Sequence, residues 1–164
     1  MKWIKEWRDY LVESDREEER PSSTELGRRL TDYIDARLEP KMSVVRSYLE
    51  NGADPNAGGT GGHRGGALAR AVIMGWGDMV ELFLSYGADP ALEFGSESIL
   101  GLAIRKGRKG ITRDLINAGA DPAKGFSSME QFKTHFSGDI SWYERDLDEL
   151  ERRFRANLVR KKLF

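Results

Sequence analysis

The sequence predicts an all-α fold in which short helical pairs repeat along the chain. Three observations carry that expectation. One string recurs three times, as "NGADPN" at 51–56, "YGADPA" at 86–91 and "AGADPA" at 118–123. A common apolar rhythm precedes every copy. A second, shorter apolar segment lies upstream of two of them.

The glycines of the three strings, Gly52, Gly87 and Gly119, stand 35 and 32 residues apart. Before them come Val44, Val45, Tyr48 and Leu49; Met79, Val80, Phe83 and Leu84; and Ile111, Thr112, Leu115 and Ile116. The spacing i, i+1, i+4, i+5 sets each group on one stripe of a helix. Each glycine follows the last stripe residue by three positions, where a left-handed C-terminal cap belongs, and the proline beyond it forbids continuation. Upstream, "GALARAVIMGW" at 66–76 and "SILGLAIRKGR" at 98–108 align without gaps. Leu68, Ala71 and Val72 match Leu100, Ala103 and Ile104. Gly75 and Gly107 match as the turn between the two helices of a unit.

The pattern resembles the ankyrin repeat: an inner helix, a glycine turn, an outer helix with paired apolar positions, then Gly-Ala-Asp and a projecting finger. The resemblance covers roughly residues 31–125, with two well-matched units and a more degenerate first one. It departs where an ankyrin unit carries Thr-Pro-Leu-His; here stand Gly66-Ala67-Leu68-Ala69 and Ser98-Ile99-Leu100-Gly101. Without the Thr–His hydrogen bonds, lower stability and altered stacking angles are expected. The resemblance implies an ankyrin-type helical repeat solenoid with extra N- and C-terminal capping helices. It divides a single domain, 1–164, into an N-terminal helix and linker (1–22), repeats (23–125) and C-terminal capping helices (126–164).

The stretch "NAGGTGGHRGG" at 56–66 then occupies the place of a finger between units. It fits neither G-x-G-x-x-G nor the P-loop, because Gly61 and Gly66 are followed by Ala67-Leu68 rather than Lys and Ser/Thr. No strand-like run precedes it, as a dinucleotide site needs. A flexible finger is expected, not a phosphate cradle.

A stack of repeats exposes an apolar face at each end unless something covers it. At the N-terminus Trp3, Trp7, Tyr10 and Leu11 share one helical face, followed by the polar linker "ESDREEERPSS". "SSTE" at 22–25 starts a helix carrying Leu26, Leu30, Tyr33, Ile34 and Leu38. At the C-terminus, Ser127–Glu130 and Ser141–Glu144 both have the S-x-x-E form of a capping box. The first is expected to open a helix with Met129, Phe132 and Phe136. The second is expected to open one with Tyr143, Leu147, Leu150, Phe154 and Leu158 along a stripe. Capping of the stack is the expected role of both ends, with docking of the tryptophan helix on a partner as the alternative.

Composition narrows the chemistry. The 164 residues carry a net charge of -1 and no cysteine, which excludes disulfides and thiolate sites and gives no overall attraction to nucleic acid or anionic lipid. No secretory signal and no run of about 18 apolar residues is present, so a cytoplasmic protein is expected. The two histidines, His63 and His135, lack metal-pair spacing, and His135 is expected half-buried on a helix. Asp54, Asp89 and Asp121 recur with the repeat, so each is expected to bond nearby amides of its own turn. The run Arg105, Lys106, Arg108 and Lys109 is expected to favour a helix C-terminus or to form a basic rim. Neither a catalytic residue, a cofactor site nor a metal site is expected.

The expected function is therefore recognition of another protein, without nucleic acid or membrane, by a chain that is monomeric and not an enzyme. The resemblance implies recognition through finger tips and inner helices. On this chain those positions are His63 and Arg64, then Leu92, Glu93, Phe94 and Glu97, and on the inner helices Ile73, Met74, Trp76, Arg105, Lys106 and Arg108. Ile73, Met74, Trp76 and Phe94 would form an apolar centre edged by charge. Such a binder inhibits or scaffolds its target, for example as an immunity-type inhibitor of a bacterial toxin or enzyme. The alternative is a structural homo-oligomer paired through aromatic terminal helices; small-molecule enzyme activity ranks last.

Overall fold

The computed structural model describes residues 21–58, 66–95, 97–143 and 145–162. The expected tryptophan helix, most of its linker, and His63 and Arg64 of the glycine finger lie outside these residues. The elements are helices α1 (Ser23–Asp35), α2 (Met42–Glu50), α3 (Gly66–Met74) and α4 (Gly77–Ser85). A short hairpin follows, β1 (Glu93–Phe94) with β2 (Glu97–Ser98). Then come α5 (Ile99–Arg105), α6 (Lys109–Asn117), α7 (Pro122–Gly125), α8 (Met129–His135) and α9 (Leu147–Lys162). None of these helices is long and apolar enough to cross a membrane.

Local chemistry explains the repetition. Each of α2, α4 and α6 ends on a glycine at positive φ: +86° at Gly52, +84° at Gly87 and +119° at Gly119. Each is followed by the same pair of terminal bonds. The glycine N–H donates to the carbonyl of Leu49, Leu84 or Ile116, and the next alanine N–H to that of Tyr48, Phe83 or Leu115. These bonds satisfy carbonyls that a helix end leaves open. The recurring aspartates act as expected. Asp54, Asp89 and Asp121 accept from the amides of Asn56, Ala91 and Ala123 at 2.9, 2.8 and 3.0 Å.

Helices α1 and α2, α3 and α4, and α5 and α6 pack as pairs. The first members, α1, α3, α5 and α7, pack in series, α9 lies on α7, and α4 packs on α6. Ala67, Ala69, Ala71 and Ala103 are buried at these contacts, so the backbones approach closely. Leu30, Leu68, Val72, Phe83, Leu100 and Leu115 fill the core between them. Each such side chain contributes about 1.5–3 kcal/mol on burial. Thr112, in the one polar slot of the stripe, is fully buried and donates its hydroxyl to the Arg108 carbonyl at 2.9 Å.

Ser22 caps α1 at its expected start, accepting from the Glu25 amide at 3.2 Å, and the Glu25 carboxylate pairs with Arg28 and Arg29. The helix starts and stops differ from expectation in three places. Helix α1 stops at Asp35, so Leu38 is 77% exposed instead of on the buried stripe. Pro40 disfavours helical backbone just before it, and the Arg37 guanidinium folds back 3.9 Å from the Tyr33 ring. The cap of α8 is Ser128, one residue later than expected, while Gln131 accepts from both the amide and the hydroxyl of Ser127.

The last helix begins at Leu147, not after Ser141. Ser141 turns its amide and hydroxyl to the Asp139 carboxylate, and Asp146 caps the helix by accepting from the amides of Asp148 and Glu149. Tyr143 therefore precedes the helix and joins a ring cluster with Phe126, Phe132, Phe136 and Trp142, at centroid distances down to 4.7 Å. Of the expected stripe Tyr143, Leu150 and Phe154 are buried, and Leu147 and Leu158 are exposed. Three polar ties hold this end to the last unit. Arg145 donates to the Ile116 carbonyl, Arg153 pairs with Asp121, and the Asn157 carboxamide donates to the Ala123 carbonyl at 2.9 Å.

Candidate protein-binding surface

The hairpin sets the first group of site residues. Glu93 faces Ser98 and Phe94 faces Glu97, with Gly95 at the tip in positive φ. The Ile99 amide donates to the Leu92 carbonyl at 2.9 Å, and the Ser98 hydroxyl caps α5 by accepting from the Gly101 amide at 3.0 Å. Leu92 and Phe94 are half-buried against the core, and Glu93 is exposed.

From this hairpin the Glu97 side chain lies along α5. A Cβ on Gly101 would stand 3.1 Å from Glu97 Cγ, so the glycine leaves the space that the side chain crosses. At the far end Arg105 receives it. Its Nε contacts both carboxylate oxygens at 3.2 Å and its terminal nitrogen donates to Oε2 at 2.8 Å. That hydrogen bond, and then the Glu97 charge, raise the Arg105 pKa further.

The second group sits at the turns where inner helices end. Arg108 donates to the Met74 carbonyl at 3.4 Å, and its guanidinium carbon would be 2.5 Å from a Cβ on Gly75. It thus closes the C-terminus of α3, the neighbouring unit's helix. Lys109 donates to the Ser137 hydroxyl at 2.7 Å, while Lys106 is exposed. Trp76 is half-buried against the core beside the start of α4, and Ile73 and Met74 are half-buried at the end of α3. Phe94 lies before α5 begins and Trp76 after α3 ends. At about 1.5 Å per residue, the nine residues of α3 put roughly 13 Å between the hairpin end and the turn end.

Several ties were not foreseen in the sequence. The Asn56 carboxamide accepts from the Asp89 amide at 2.8 Å and donates to the Gly87 carbonyl at 3.3 Å, joining two units. The matching positions, Ala91 and Ala123, have no such group. Thr31 donates its hydroxyl between the carbonyls of Gly27 and Ala57, at 3.1 and 2.9 Å. Arg70 stands 3.9 Å from Asp35, with its Nε buried and unbonded.

Asp114 and His135 also titrate away from their ordinary values. Burial, and then the Glu81 charge, raise the Asp114 pKa. Burial, and then Lys109, lower that of His135, which sits half-buried on a helix as expected, with Nε2 3.2 Å from the Thr112 hydroxyl. Among the described residues no three His, Asp or Glu side chains converge as metal ligands would.

No protein-family model, no curated protein and no solved structure matches this chain.

Proposed function

We propose that the chain is a protein-binding module of the ankyrin type. It takes a partner protein along the inner helices and the hairpin, and inhibits or scaffolds that partner. An immunity-type inhibitor of a bacterial toxin or enzyme is one concrete form. The observation that carries this reading is the matched placement of Ile73 and Arg105. They occupy the same register position on packed neighbours, α3 and α5; Ile73 is half-buried against the core with the rest of its surface open, and Arg105 is exposed. Beside them the Glu97–Arg105 pair remains on the surface, with the arginine side chain 58% exposed. An apolar contact edged by fixed charge suits recognition of a macromolecule.

Arg108 and Lys109 contribute less to this surface, since both already bond neighbouring elements. The test is co-purification from the native cell with identification of the retained species. A protein partner lost on Ile73→Asp, with circular dichroism showing the variant still folded at the assay temperature, supports the reading. Recovery of a small ligand and no protein defeats it.

A further inference from the structure

The first helical pair is open where its equivalents are closed. Val44 and Tyr48 of α2 match Met79 and Phe83 of α4, and Ile111 and Leu115 of α6. The four later residues are buried, none more than 5% exposed, whereas Val44 and Tyr48 are half-buried. Tyr33 of α1 extends the same face, half-buried with its ring 6.3 Å from that of Tyr48. Helical geometry fixes which side this is. Thr31 donates to the Ala57 carbonyl and Gly27 abuts the Asp54 carbonyl, so that side of α1 meets the loop leading to the next pair. Tyr33 lies two residues on, roughly 200° around the helix, and therefore faces away from the rest of the stack. Among the described residues no helix precedes α1, and a repeat stack needs a cover at each end.

The chain itself supplies a cover that fits. The residues before Pro21 lead directly into α1, and they hold Trp3, Trp7, Tyr10 and Leu11 at i, i+4, i+7 and i+8. As a helix, that stripe spans about 12 Å, the length of α1 from Glu25 to Tyr33. Residues 12–21 extend up to about 33 Å, twice the roughly 16 Å from Ser22 to Tyr33, so the stripe reaches the whole face. Charge agrees with that path. Residues 13–20 hold five Asp and Glu against Arg16 and Arg20, while Arg29 stands one turn before Tyr33 and Arg37 lies 3.9 Å over its ring.

We propose that segment 1–11 of the same chain docks on Tyr33, Val44 and Tyr48 and closes the first end of the stack. A short tether gives the segment an effective concentration on the order of millimolar at this face. A second copy or a separate protein competes only at comparable concentration. Trp3 and Trp7 are then consumed within the chain, which removes them as a homo-oligomer contact or as an arm for a partner. The proposal does not depend on the inner-helix reading and concerns a different surface.

The test uses the full chain, whose lack of cysteine allows a single nitroxide label. Lys41→Cys places it beside the face, since Lys41 is exposed and its amide donates to the Tyr33 hydroxyl at 3.2 Å. Lys124→Cys places it on α7, three helix spacings or roughly 25–30 Å along the stack. The readout is the indole N–H resonances of Trp3 and Trp7, assigned with Trp3→Phe and Trp7→Phe. Both should broaden with the label at position 41 and stay sharp with the label at 124. Mixing isotope-labelled chain with separate nitroxide-labelled chain should leave them sharp. Trp7→Glu should lower Tm by at least about 4 °C, as loss of a buried aromatic requires. Sharp resonances with the label at position 41 overturn the proposal. So does broadening in the mixture, which assigns the face to a second copy. An unchanged Tm on Trp7→Glu together with loss of a co-purified protein also overturns it, and gives the stripe to that partner.

Discussion

Asn56 clamps Asp89 across a unit boundary: its carboxamide oxygen takes the Asp89 amide at 2.8 Å while its nitrogen donates to the carbonyl of Gly87. Both groups belong to the loop that follows α4, so the side chain ties the end of one helical pair to the end of the next. Replacing it with alanine leaves two exposed backbone groups to water. We expect Asn56→Ala to cost about 1 kcal/mol, the net worth of such bonds. That lowers Tm by about 2–4 °C for a chain of this size. The converse change, Ala91→Asn, offers the same clamp to Gly119 and Asp121 and should raise Tm. Calorimetry of the two variants checks both signs.

Gly27 and Gly77 should respond oppositely to alanine. A Cβ on Gly27 would stand 2.2 Å from the Asp54 carbonyl oxygen and 2.6 Å from Ala57 Cβ, so backbone must move. At Gly77, in the first turn of α4, nothing lies within 4 Å. Overpacking of this kind typically costs about 1–3 kcal/mol, and Gly27→Ala should reach at least the upper end. Gly77→Ala should instead stabilise by about 0.4–1 kcal/mol through the unfolded chain. Urea midpoints distinguish the two.

These contacts also mark what the sequence makes legible. The helix ends at Gly52, Gly87 and Gly119, the aspartate turns and the apolar stripes all arise within about six residues, so each can be read from one short window. Asn56 with Asp89, Arg108 with Met74 and Arg153 with Asp121 join residues 33, 34 and 32 apart, through side chains whose types are ordinary for loops and helix surfaces. Nothing local signals them. The start of α9 failed for a related reason. Two caps compete within six residues, Ser141 and Asp146, and the turn at Asp139 decides between them. On the candidate surface, Glu97 and Arg105 lie eight residues apart, beyond ordinary helical pairing. Only the bare backbone of Gly101 lets them meet.

His135 should make stability fall in mild acid. Its Nε2 reaches the Thr112 hydroxyl, and its ring edges onto Phe126 and Phe136. Burial, with Lys109 nearby, holds its folded pKa below 6.5. As pH falls, the unfolded chain takes up the proton first. The contribution of the neutral ring is therefore complete above pH 6.5 and is lost below it, toward the lower folded value. Denaturant midpoints measured from about pH 7 down to about pH 5, the range in which histidine titrates, should drop more steeply for the native chain than for His135→Gln. Parallel curves would mean that His135 titrates alike in both states.

Inverting the Glu97–Arg105 pair separates recognition from stability. The pair lies on the surface, with side chains 33% and 58% exposed, so its net effect on folding is small. Arg105→Glu sets two carboxylates together and also inverts the charge beside Ile73. Glu97→Arg with Arg105→Glu restores an ion pair of opposite direction. If the partner reads this charge, both variants lose binding, while the double variant unfolds at the native temperature. If the pair only fastens the hairpin to α5, the double variant binds normally. Titration calorimetry against the recovered partner, alongside thermal unfolding, decides between these outcomes.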